Sequence, residues 1–61
     1  MIQYIADGRL ENGDRAVLWR TADYTYQIEI GYGTKKRTIY FTDIEYNDAL
    51  STLKTMTGEV A

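Results

Sequence analysis

Residues 24–33, YTYQIEIGYG, set Tyr24, Tyr26, Ile28, Ile30 and Tyr32 on one side of an extended chain. Thr25, Gln27, Glu29 and Gly31 fall on the other. Strict alternation of this kind marks a half-buried strand, so the centre of the tyrosine row belongs to a core, while Tyr24 and Tyr32 reach its rim. A second alternating run, RTIYF at 37–41, follows after Gly33-Thr34. A two-residue turn with glycine first is a hairpin signal. It pairs Ile30 with Arg37, Ile28 with Ile39 and Tyr26 with Phe41, and on the other face Glu29 with Thr38, Gln27 with Tyr40 and Thr25 with Thr42. Apolar pairs then share one face and polar pairs the other, as a sheet with one buried face requires.

Asn12-Gly13 is the strongest short hairpin signal in the chain. As a two-residue turn it pairs Leu10 with Arg15, Gly8 with Val17 and Ala6 with Trp19, at the expense of setting Glu11 opposite Asp14. A connection around Ala22-Asp23, tight or of four residues, sets Trp19 opposite Tyr26 and Val17 opposite Ile28. The three hairpins together give a core face of Tyr4, Ala6, Leu10, Val17, Trp19, Tyr26, Ile28, Ile30, Ile39 and Phe41. The opposite face carries Ile5, Asp7, Arg9, Ala16, Leu18, Arg20, Thr25, Gln27, Glu29, Thr38, Tyr40 and Thr42.

FTDIEY, residues 41–46, opens a helix. Thr42 and Glu45 have the spacing of a capping box, with Phe41 and Tyr46 at the staple positions. Asp43 and Glu45 complement the helix dipole. Tyr46, Ala49, Leu50, Leu53 and Met56 then recur on one face, and Gly58 is placed to end the helix in a left-handed conformation. A helix is expected from Asp43 to about Thr57. The predicted fold is one α+β domain over residues 1–61: a four-stranded antiparallel meander followed by one C-terminal helix on one sheet face (ββββα). One helix is about 10 Å wide and four strands span roughly 15 Å. Either Trp19 and its neighbours wrap the helix or a second subunit covers the remainder, so a homodimer is expected.

Stability must come from such packing, because a 61-residue chain buries only about 60% of its unfolded surface. There are no cysteines and no histidines, which removes disulfides, thiolate ligands and ordinary zinc sites. Lack of cysteine fits a reducing, cytoplasmic setting. No long apolar run suggests a membrane span, and no basic segment followed by an apolar stretch suggests a signal peptide. The net charge of −2 speaks against a strongly basic nucleic-acid binder and is too small for a DNA mimic.

Catalytic chemistry finds few candidates. Neither a histidine base nor a cysteine nucleophile exists, and Ser51 has no base beside it. Asp43, Glu45 and Asn47 alternate like a calcium loop, but Asp48 stands where glycine is needed and Lys54 where a bidentate glutamate is needed. No enzyme activity and no cofactor are expected.

Two surfaces remain. On the face opposite the core, Leu18, Arg20, Gln27 and Tyr40 cluster, and tyrosine and arginine are frequent interface anchors. The alternative is an ordinary solvent face with scattered apolar residues. At the tip of the second hairpin, Lys35, Lys36 and Arg37 lie between Tyr32 and Tyr40, a set able to grip phosphates and stack a base. Lysines at such a tip also keep sheet edges from pairing. The first surface implies a small non-enzymatic protein-binding module, an adaptor or an inhibitor of a larger protein. Compact cysteine-free chains of this kind are frequent among viral and plasmid accessory proteins. The second implies single-strand binding. In the order of its elements the chain resembles the PC4-like coactivator family, whose members dimerise and bind single strands. A structural subunit of a larger assembly is the third expectation.

Overall fold

The computed structural model describes residues 2–21 and 25–58. Strands β1 (Gln3–Arg9), β2 (Arg15–Arg20), β3 (Tyr26–Ile30) and β4 (Arg37–Phe41) form an antiparallel meander in chain order, and helix α1 (Tyr46–Met56) crosses one face. The molecule measures 32 × 31 × 15 Å, a slab one sheet and one helix thick. The predicted α+β architecture is therefore the observed one.

The β3–β4 register is also as expected: Ile30 opposes Arg37, Ile28 opposes Ile39 and Tyr26 opposes Phe41. The turn that joins these strands is different. A short 3-10 segment, Gly33–Lys35, replaces the two-residue turn, with Gly31 and Gly33 at φ 78° and 68°. Both connections leave an even number of residues between Ile30 and Arg37, so the facing is preserved.

At Asn12-Gly13 the parity changes. Leu10 N–H donates to Asp14 O at 2.7 Å and Gly13 N–H to Leu10 O at 2.9 Å. Gly13 sits at φ 93°, and the loop between Leu10 and Asp14 has three residues, the arrangement of a type I turn closed by a left-handed glycine. The Asn12 carboxamide braces it by accepting from Asp14 N–H at 2.9 Å. An odd loop moves the pairing by one residue. Gly8 meets Ala16 instead of Val17, and Ala6 meets Leu18 instead of Trp19. The β2–β3 register also moves by one residue: Leu18 opposes Ile28 and Ala16 opposes Ile30, closed by Thr21 N–H to Thr25 O at 2.8 Å. The expected turn at Ala22-Asp23 and the rim position of Tyr24 lie outside the described residues.

These two slips turn β2 over. Ala16 and Leu18, expected on the open face, are buried with Ile28, Ile30, Ala49 and Leu53. Val17 and Trp19, expected in the core, lie on the opposite face. A bulge at Ile5 shifts β1 between Tyr4 and Ala6. Tyr4 consequently joins Trp19 outside the core, while Ile5 packs against the core's margin.

The small Gly8–Ala16 pair has a packing role. The end of α1 comes so close to Gly8 that a Cβ there would lie 2.6 Å from Thr57 Cγ2. Ala49 and Leu53 are the buried residues of the helix, with Leu50 and Met56 flanking them, so the predicted stripe faces the sheet. The helix begins three residues later than expected, at Tyr46, because Thr42–Glu45 forms its own turn, with Glu45 N–H donating to Thr42 O at 3.1 Å. Glu45 does reach back: its Oε1 accepts from Thr42 N–H and Oγ1–H, both at 2.8 Å. The reciprocal bond of a capping box is absent, since the Glu45 N–H is given to the Thr42 carbonyl instead of its hydroxyl. The Tyr46 ring packs tilted against Tyr26, centroids 5.2 Å apart. Gly58, at φ 79°, follows the helix as its spacing predicted.

Candidate binding surface on the open sheet face

The registers place four residues in one line across the sheet away from the helix. Tyr4 opposes Trp19, Trp19 opposes Gln27, and Gln27 opposes Tyr40. With strands about 4.8 Å apart, this row spans roughly 14 Å. The Tyr4 and Trp19 rings meet edge to face, centroids 5.9 Å apart at 78°, a favoured aromatic geometry. Tyr40 is 76% exposed and Tyr4 51%.

A second row lies beside it: Asp7 opposes Val17, Val17 opposes Glu29, and Glu29 opposes Thr38. Its carboxylates are answered locally. Asp7 accepts from Tyr4 Oη at 2.9 Å and from Arg15 Nε at 2.9 Å, and Arg15 Nη2 makes a further contact with the same carboxylate. Glu29 accepts from Gln27 Nε2 at 2.9 Å and pairs with Lys36 Nζ at 3.2 Å. The hydrogen bonds from Tyr4 and Arg15 hold the Asp7 carboxyl below its ordinary range, and the same bond to Asp7 raises the Tyr4 phenol. These pairs tie the aromatic row to the charged row. Tyr4 belongs to both.

The residues expected at the partner-binding surface separate. Gln27 and Tyr40 are neighbours on the open face, as expected. Leu18 is wholly buried beneath the helix and cannot touch a partner. Arg20 opposes Tyr26, on the helix-facing side, so it does not join Gln27 and Tyr40. Their places are taken by Tyr4 and Trp19, which the expected registers had assigned to the core. The one sign of this in the sequence is the Glu11–Asp14 conflict, which the three-residue loop removes.

At the hairpin tip, Tyr32 is 83% exposed and Lys35, Lys36 and Arg37 are also exposed. Lys36 is engaged by Glu29, and Arg37 opposes Ile30 on the helix-facing side. The tip therefore does not present its three cations on one surface with Tyr40. No protein-family model, curated protein or solved structure matches this chain, so a functional reading rests on the geometry of its own faces.

Proposed function

We propose that this chain is a small non-enzymatic protein-binding module, an adaptor or an inhibitor of a larger protein, that meets its partner through the open sheet face. The observation that carries this reading is the line Tyr4–Trp19–Gln27–Tyr40, which keeps the only tryptophan of the chain outside the core. Tryptophan and tyrosine are the commonest interface anchors because they bury large area at little conformational cost. The carboxylates beside them are already paired, which lowers the cost of removing the face from water.

Pull-down from lysate of the native host, with wild type and with Trp19→Ala and Tyr40→Ala, tests the reading. A discrete protein that is retained after nuclease and at high salt, and lost with either variant, is the expected result. Retention by both variants would refute this surface. Recovery of nucleic acid, removed by nuclease and weakened by salt, would transfer the function to Tyr32, Lys35 and Lys36.

A further inference from the structure

We propose that β4 is a self-association edge: two copies of the chain pair their β4 strands antiparallel about a two-fold axis at Ile39, extending the sheet from four strands to eight. This contact does not rest on the open-face reading: it uses the backbone edge of β4, although Tyr40 of that strand also stands on the open face.

Among the described residues the sheet has two edges, and they are unlike. β1 is broken by the bulge at Ile5, a common means of spoiling an edge for pairing. β4 runs from Arg37 to Phe41 without a register shift and contains no proline. It also lies outside the main footprint of α1, which packs chiefly on β1, β2 and β3. Ile39 and Phe41 are consequently only partly buried at the margin of the core, and Ile44, just beyond the strand, is 88% exposed.

Charge selects the occupant. The segment is basic at one end, with Lys35, Lys36 and Arg37, and acidic past the other, with Asp43 and Glu45. A second copy placed antiparallel reverses this polarity. Centred on Ile39, the register sets Arg37 against Phe41 of the partner copy on the helix side, where a guanidinium can lie over the ring. It brings Lys35 next to Asp43 of the partner copy, and the two-fold axis repeats both contacts. A parallel pairing would set the basic ends together and the acidic ends together, so the same residues favour the antiparallel arrangement.

The interface is small, and association on the order of 10–100 μM is expected. Sedimentation equilibrium between about 10 μM and about 1 mM brackets that range. The weight-average mass should rise from 7.0 kDa toward twice that value. Lys35→Glu and Asp43→Lys, both at exposed positions, should each weaken association at least tenfold. An equimolar mixture of the two variants should recover it, because each altered side chain then meets an opposite charge. Two misfolded chains would not show that recovery. A chain that stays at 7.0 kDa throughout overturns the proposal. So does a dimer that ignores both substitutions, or one lost with Trp19→Ala, which would assign self-association to the open face.

Discussion

Leu18 and Trp19 are neighbours on β2, both strongly apolar, and the fold uses them in opposite ways. Leu18 is sealed between sheet and helix with Ile28, Ala49 and Leu53. Trp19 stands on the far face, half-buried, with Tyr4 against its ring. Hydrophobicity does not sort them, since the larger apolar side chain is the one left outside. Register sorts them, and the three-residue loop at Glu11–Gly13 helps set the register. The buried centre of the helix-covered face is built from aliphatic side chains and small residues that allow close approach. The open face is built from aromatic rings and ion pairs that cover one another only in part.

Substitutions on the two faces should separate stability from binding. The largest effect is expected for Leu18→Ala, which leaves a cavity under the helix and should cost about 2–5 kcal/mol in urea unfolding, a large share of what a small domain has. Trp19→Ala should cost only about 1 kcal/mol, mostly its contact with Tyr4, while abolishing partner capture. Equal destabilisation by the two would erase the distinction drawn between the faces. Gly8→Ala comes next, at about 1–3 kcal/mol, because a methyl there overlaps Thr57. Thr57→Gly in the same chain should restore part of the loss, and no restoration would mean the helix end does not press on β1.

A smaller effect distinguishes the charged row. Asp7 has a lowered carboxyl in the folded chain, so its contribution is fully present above the unfolded value of about 3.9. It is lost as the pH falls through the lower folded value. Tyr4 behaves in the opposite sense: its raised phenol favours the fold below an unfolded value of about 10, and that contribution disappears as the pH rises through the higher folded value. Asp7→Asn should flatten the acid limb of the urea midpoint against pH and should also reduce the alkaline dependence due to Tyr4. An unchanged acid limb would show that the Tyr4–Asp7–Arg15 cluster does not persist in solution. Smallest is Glu45→Gln, which should trim the acid limb slightly, because Glu45 is lowered by the Thr42 backbone and hydroxyl and its amide replacement can still accept from both.

The sequence was legible where one parity alone is apolar. In YQIEI, residues 26–30, a slip of one residue would exchange Tyr26, Ile28 and Ile30 for Gln27 and Glu29, so the facing of β3 follows directly from alternation. The helix stripe was legible for the same reason, since only one face of the helix is apolar, and Gly58 because a glycine just past the last turn takes the left-handed conformation. RAVLWR, residues 15–20, offers apolar residues at every inner position. Its facing therefore depends on whether the neighbouring loop has two residues or three, and Asn-Gly serves both. The helix start was misplaced because Thr42 and Glu45 satisfy each other one turn before the helix begins. Of the candidate surface, Gln27 and Tyr40 could be read from the β3–β4 hairpin, while Tyr4 and Trp19 needed the bulge and the odd loop.

Trp19 is its own reporter, being the single tryptophan of the chain. Acrylamide quenching of its fluorescence, in the free protein and after saturation with the captured partner, tests the central claim most directly. A residue on an open binding face should be quenched readily when free and shielded, with a blue-shifted emission, when bound. Protection already in the free protein would put Trp19 in the core and reverse the facing of β2. Quenching unaltered by the partner would remove the aromatic row from the interface.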